Sequence, residues 1–285
     1  MTVFAYEHIA ASRRHLVDAD NETRTRAIYE DVWVEYPTAT KVLAYIKYML
    51  RMPHKAQAPC LLIHSQPGMG KSALFEKIKQ LYGLSSAGGP CVASMTVLAK
   101  HVSGHKIFCN DLVSTLSGGI YATTNVDDGK LVTAILSRNI RAIAIDELND
   151  LLLANRLDQA RNLKYLKELS GSPFCLIVIA VGTHDCHDAL KSDKQLARRF
   201  NKIELKPWTD QDLLRSFVTA YVSTFPLKYP SALEKKAFMK YLMDNTDGVL
   251  DSIVKYLCNA ACWAIVDGYE KIDLEILKKS GEPPV

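Results

Sequence analysis

A strand-sized apolar run, Cys60-Leu61-Leu62-Ile63-His64, passes directly into Ser65-Gln66-Pro67-Gly68-Met69-Gly70-Lys71-Ser72 and then into SALFEKIKQLYG, a helical pattern closed by a glycine. Strand, glycine-rich turn and helix in that order aim successive backbone N–H groups at an anion, at the positive end of a helix dipole. The phosphate-loop pattern G-x-x-x-x-G-K-[ST] is met except at its first glycine, where Ser65 stands. A small polar residue serves there if its φ stays negative. The stretch therefore predicts a nucleotide site built from Gln66, Pro67, Gly68, Met69, Gly70, Lys71, Ser72 and Ala73. Lys71 would reach the β- and γ-phosphates, and the Ser72 hydroxyl would ligate Mg²⁺.

A second apolar run, Ile143-Ala144-Ile145-Asp146-Glu147-Leu148, ends in two carboxylates. An acidic strand end alone is common. Following a phosphate loop, it predicts that Asp146 positions Mg²⁺ and that Glu147 orients or activates the attacking water. Guanine selection by an Asn-Lys-x-Asp tetrapeptide is excluded, because none occurs, so the expected nucleotide is ATP.

Around these motifs strand-like and helical segments alternate. CVASMTVL, RAIAID, CLIVIAVG and KIELK join CLLIH as strands, separated by helical patterns such as KLVTAILSR and LLANRLDQARNLKYLKELSG. This alternation predicts an α/β fold with a five-stranded parallel sheet flanked by helices. Before it, residues 5–50 read as helices interrupted at Tyr36-Pro37, with PHKAQAP as a linker; after Trp208 only helical patterns remain. The expected organisation is an N-terminal helical segment (1–55), a nucleotide-binding domain (56–208) and a helical lid (209–285). Trp33 and Tyr36 are expected to pack the N-terminal helices, with a place near the adenine as the alternative.

The longest apolar run, Cys175 to Val181, is too short to span a membrane, and seven cysteines without paired spacing give no disulfide framework. With no apolar leader near the start, the expected location is the cytoplasm. A net charge of +4 permits a nucleic-acid partner without arguing for one.

The fourth strand leads into Gly182-Thr183-His184-Asp185, where Thr183 could hydrogen-bond the lytic water or cap the helix of DCHDALK. Arg199, in QLARRF, is either a solvated surface arginine or an arginine finger for a neighbouring subunit's γ-phosphate. Two His/Cys groups, His101/His105/Cys109 and His184/Cys186/His187, do not complete a metal set by themselves. KHVSGHKIFCND reads as a loop.

Together, PGMGKS, IAIDELNDLLLAN, the polar fourth-strand end, RRF and the helical C-terminal region resemble the AAA+ ATPases. Within them the chain is most similar to the TniB/TnsC family of transposition regulators, through VWVEYPTA, VIAVGTHDCHDALKSDKQLARRF and LKPW. The resemblance implies an ATP- and Mg²⁺-dependent homo-oligomer on duplex DNA, a ring or filament that is hexameric or heptameric per turn. It implies recruitment of a transposase and a TniQ-type targeting protein. It also implies catalytic roles for Glu147, Asp146, Thr183 and Arg199. By position, Lys106 would contact DNA phosphate, Thr123 or Thr124 would fall near a second contact, and Lys100 lies in the same region. GVLDSIVKYL departs from the family pattern: Leu250 and Asp251 stand where a lid sensor arginine is expected, with Lys255 one turn on. A clamp- or helicase-loader-like ATPase and a STAND-type nucleotide switch are the competing readings; Glu147 argues against the latter.

Overall fold

The computed structural model describes residues 6–84, 89–102, 104–191 and 194–284. The chain divides into two compact units, Thr38–Lys206 and Met1–Pro37 with Pro207–Val285. The helices of residues 1–55, grouped together on sequence, are thus shared between them. Helix α1 (Asn21–Ile28) belongs to the second unit and nearly all of α2 (Pro37–Arg51) to the first. Pro37, read as a break, is the first residue of α2, where a missing N–H costs nothing.

The Thr38–Lys206 unit contains the sheet. Its strands are β1 (Cys60–His64), β2 (Cys91–Thr96), β3 (Ile140–Asp146), β4 (Ile177–Gly182) and β5 (Phe200–Glu204), in the order β2-β3-β4-β1-β5. Every pairing is parallel, as the alternating pattern predicts. β1, β3 and β4 are buried along their whole length, which explains why they read as unbroken apolar runs rather than alternating ones. Because β1 follows β4 in space but precedes it in sequence, connections leave β1 and β4 in opposite directions. That reversal opens a crevice at the carboxyl ends of the strands, the place where parallel sheets bind ligands.

Besides α2, the helices of this unit are α3 (Lys71–Tyr82), α4 (Ala99–Val102), α5 (His105–Ser117), α6 (Asp128–Ser137), α7 (Arg156–Leu169), α8 (His184–Lys191) and α9 (Lys194–Ala197), with a 3-10 helix over Leu148–Leu153. One sequence expectation needs correction. KHVSGHKIFCND is not a loop: it holds most of α4 and the first two turns of α5. Phe108, Cys109, Leu112, Val113 and Leu116 are buried at helical spacing, and that stripe carries the helix back to His105. Gly104, which obscured the register, accepts N–H groups from Ile107 and Phe108 through its carbonyl.

The second unit combines α1 with α10 (Gln211–Val222), α11 (Lys236–Thr246), α12 (Leu250–Val266) and α13 (Leu274–Lys279). Tyr36 packs against Trp208 and Phe217 at centroid distances of 5.7 and 6.2 Å, in an aromatic row that continues to Tyr221 and Phe225. Tyr36 also lies 6.4 Å from Trp33, and the core it packs against joins Ile28 of α1 to the C-terminal helices. Lys255 is ion-paired to Asp251 at 2.7 Å along exposed helix surface.

Candidate nucleotide site

The phosphate loop leaves β1 at Ser65. Gly68 and Gly70 take φ of 77° and 79°, which L side chains resist; Ser65 is not among the residues with positive φ. The serine is fully buried and serves in its own right. Its backbone N–H donates to Gly182 O at 3.3 Å, its hydroxyl donates to Gln66 O at 2.7 Å, and it accepts Lys71 Nζ at 3.2 Å. Lys71 Nζ also donates to Gln66 O at 3.1 Å. A glycine could supply the backbone contact but not the hydroxyl that holds the lysine.

Gly70 caps α3 without a side-chain bond, so the first N–H groups of the helix, including those of Ser72 and Ala73, are left to the loop. Asp146 ends β3 and is buried; Glu147 follows with φ 53° and donates its backbone N–H to Asp146 Oδ1 at 2.9 Å. A non-glycine residue in the left-handed region costs on the order of 1–3 kcal/mol and persists where its surroundings fix it. Burial pushes the Asp146 carboxyl upward, and the neighbouring Glu147 charge adds to this. Burial pushes the Lys71 ammonium downward, against the pull of Glu147 and Asp146. Two carboxylates, one buried, and a serine hydroxyl are a hard oxygen set of the kind Mg²⁺ takes alongside substrate phosphates. The loop N–H groups and Lys71 suit those phosphates. The residues present fit an Mg²⁺–nucleotide.

Thr183 stands between β4 and α8. Its backbone N–H donates to Asn149 Oδ1 at 3.2 Å, and its hydroxyl donates to Asp185 Oδ2 at 3.3 Å. His64 and His184 meet through their Nδ1 atoms at 3.1 Å, one donating to the other. Neither this histidine contact nor the role of Asn149 is legible in the sequence, because both depend on β1, β3 and β4 being neighbours.

Arg199 is half-buried and its Nη1 donates to Lys167 O at 3.0 Å and to Ser170 Oγ at 2.7 Å, closing the C-terminus of α7. Arg198 beside it is exposed, and its guanidinium has no partner among the described residues. Ser192 and Asp193, part of the family-like run, lie outside the described residues, as does the side chain of His187.

The residues expected to meet DNA separate into two kinds. Lys100 pairs with Asp111 at 2.6 Å, and the same carboxylate accepts His101 Nε2 at 2.8 Å, which holds Asp111 below the usual carboxylate range. Lys106 is exposed on the first turn of α5. Asn110, one turn on along the same face, accepts the Thr124 N–H at 2.9 Å, so the exposed Thr123–Thr124 segment is fastened to this face. His105 bonds Asn162 Oδ1 at 2.7 Å and lies 3.4 Å from Cys109 Sγ. Among the described residues no group of three or more ligating side chains is placed for a metal, and all seven cysteines are free.

A parallel sheet in this order, a phosphate loop after β1 and an acid pair after β3 define the class: this is the fold of the AAA+ P-loop ATPases. The chain belongs to the TniB family, a TnsC-like AAA+ family of transposition regulators; the family described as "Bacterial TniB protein" matches residues 24–210. Solved structures share the fold at low identity. The Aeropyrum pernix ORC2 protein in its ADPNP–ADP complexes is 12% identical, with a TM-score of 0.61 over 90% of this chain and 71% of that one. Drosophila ORC bound to DNA is 14% identical, with a TM-score of 0.57 over 92% of this chain. This chain spans 65% of that longer one. The Thermotoga maritima RuvB branch migration motor is 14% identical, with a TM-score of 0.53 over 85% of this chain and 67% of that one. No curated protein matches.

Proposed function

We propose that the chain is an ATP-hydrolysing regulator of DNA transposition that assembles as a homo-oligomer on duplex DNA and links a transposase to a TniQ-type targeting protein. The observation that carries this reading is that, in a TniB-family chain, the Lys71 ammonium feels the charges of Glu147 and Asp146, and Asn149 ties Glu147 to the Thr183 backbone at the β4 end. Mg²⁺ bound by Asp146 and Ser72 would supply Lewis-acid stabilisation of the phosphate charge. Lys71 and the loop N–H groups bind and orient the phosphates. Glu147 accepts a proton from, or orients, the water, and Thr183 hydrogen-bonds it from the neighbouring strand end. No described helix is long and apolar enough to cross a membrane. A cytoplasmic location belongs to the same reading.

An arginine from the next subunit would complete the γ-phosphate's surroundings. Arg199 would have to give up both its bonds to α7, whereas Arg198 already stands exposed, so Arg198 is the better finger. Arg198→Ala should slow ATP turnover by about 10³-fold under saturating ATP while leaving the melting temperature unchanged. Arg199→Ala should instead lower stability, by about 1–3 kcal/mol for the acceptors left at the end of α7. Turnover and thermal melting of the two variants, side by side, decide between them; a larger turnover loss in Arg199→Ala returns the role to Arg199.

DNA contacts from Lys106, with Thr123 and Thr124 beside it, would be to phosphate and indifferent to sequence. One subunit of charge +4 should bind weakly, and an oligomer should multiply the contacts. Electron microscopy and filter binding on duplexes of increasing length should show ATP-dependent assembly whose affinity rises with length and falls steeply with salt. Lys71→Ala should abolish it. Lys106→Ala should weaken binding equally on all sequences and flatten the salt slope, with nucleotide affinity intact. Tight, length-independent binding in ADP overturns the reading.

A further inference from the structure

Asn149 joins the two strand ends on which the proposed reaction depends. It lies in the 3-10 helix Leu148–Leu153, directly after the acid pair. Its Nδ2 donates to Glu147 Oε2 at 3.3 Å and to Asp150 Oδ1 at 2.8 Å, while its Oδ1 accepts the Thr183 backbone N–H at 3.2 Å. Both amide hydrogens are therefore used on carboxylates, and the oxygen on a donor. The opposite amide orientation would set an oxygen against two carboxylates and an NH₂ against an N–H, so chemistry fixes this one. Close approach is built in from the β4 side as well. A Cβ on Gly182 would stand 3.0 Å from Asn149 Oδ1 and 2.5 Å from Cys186 Sγ, so a side chain there would push the amide away from the strand end.

We propose that Asn149 is the positioning residue for Glu147, setting the direction of the carboxylate by reference to the Thr183 backbone. This rests on the reading of Glu147 as the residue that handles the attacking water. Glu147 needs such a partner. With φ at 53° its side chain leaves the strand end along a direction that no regular helix or strand would impose, and among the described residues the Asn149 amide donates to its carboxylate. The bond to Asp150 is shorter than the bond to Glu147, so the amide is anchored on Asp150 and Thr183 and reaches Glu147 from that fixed base. A displacement of the β4 end at Thr183 would turn the amide and, with it, Glu147. A nucleotide-dependent change felt by Thr183 would thereby pass through the Asn149 amide to Glu147.

The test is ATP hydrolysis by the full-length chain with duplex DNA, together with affinity for a fluorescent ATP analogue and thermal melting. Asn149→Ala should keep analogue affinity and KM within about twofold and lower kcat by roughly 10–100-fold, the usual range for losing a group that orients a reacting one. Asn149→Asp is isosteric and keeps the acceptor for Thr183 but has no hydrogen to give Glu147, so its kcat should fall at least as far. The discriminating measurement repeats both substitutions in a Glu147→Gln background, under single-turnover conditions. There the carboxylate to be aimed is gone, so either change at Asn149 should cost less than about threefold more; residues that act as one unit are not additive. A purely structural role would lower melting temperature and rate together and cost the same in both backgrounds. If Asn149→Ala does not fold, the Asn149→Asp cycle decides alone. Parental kcat in either single variant, or equal losses in both backgrounds, overturns the proposal. With any of those results, loss of analogue binding in Lys71→Ala still leaves the ATPase reading standing, whereas parental turnover in Lys71→Ala sinks both.

Discussion

Glu147→Gln is expected to bind ATP as tightly as the parent and to hydrolyse it about 10²–10⁴-fold more slowly, the range that a positioned acid–base group contributes. The substitution removes a charge and a proton acceptor while keeping size, so little else changes. The left-handed backbone at Glu147 is set by its neighbours, including its N–H bond to Asp146 Oδ1, and glutamine tolerates that conformation no worse than glutamate. Asn149 Nδ2 can still donate to the oxygen of the new side-chain amide. Asp146 keeps its carboxylate at the end of β3, so the Mg²⁺ and phosphate binding proposed for Asp146, Ser72 and Lys71 should be untouched. Phosphate release and binding of a fluorescent analogue, measured on the same preparations, separate the two steps. Turnover within twofold of the parent would show that Glu147 takes no part. Because binding survives, assembly on DNA should persist in this variant and outlast that of the parent.

The phosphate loop and the acid pair were legible because the physics that creates them is local. A loop that must take positive φ near phosphate writes Gly68 and Gly70 into the sequence, and a strand buried on both faces writes CLLIH, RAIAID and CLIVIAVG as apolar runs. Those runs, taken with the helices between them, also carry the parallel sheet. What could not be read is whatever depends on which strand lies beside which. Asn149 looks like any polar residue in NDLLLAN until β4 lies beside β3 and Thr183 N comes within 3.2 Å. Arg199 has the sequence context of a finger, yet Ser170 and Lys167 claim it across 29 and 32 residues. The start of α5 was hidden by Gly104, a residue that disfavours helix interiors but here precedes the first turn. Lys100 and Lys106 look equivalent in KHVSGHKIFCND, and Asp111, itself on α5, separates them by neutralising the first.

Arg24→Ala should destabilise the helical unit by about 3–5 kcal/mol, the cost of leaving a buried charge without its partner. Arg24, on α1, is 1% exposed, and all five of its N–H donors have acceptors. Nη1 donates to Glu270 Oε1 at 2.9 Å and to Asn21 Oδ1 at 3.3 Å; Nε donates to Pro226 O at 3.1 Å; Nη2 donates to Pro226 O at 2.8 Å and closely to Glu270 Oε2. The pair fastens the N-terminal helix to a position 246 residues later. Glu270 is itself buried with φ 58°, and Lys228, 3.4 Å away and half-exposed, is the cation that remains when Arg24 is removed. Burial pushes the Glu270 carboxyl up, but the Arg24 hydrogen bonds and charge outweigh it and hold the group below its ordinary value of 4.5. A depressed carboxyl contributes stability that is present above the unfolded-state value and lost as pH falls through the folded one. The gap between parent and Arg24→Ala should therefore be full at neutral pH and shrink below about pH 4.5. All three tryptophans, Trp33, Trp208 and Trp263, lie in this unit, so urea titration followed by tryptophan fluorescence reports on its unfolding without the sheet unit. Replacing both partners, Arg24→Met with Glu270→Met, should recover most of the loss, since an apolar pair leaves no charge behind. If Arg24→Ala unfolds within about 1 kcal/mol of the parent at neutral pH, the pair adds less than a buried ion pair should, and α1 is held by Ile28 and its apolar neighbours alone.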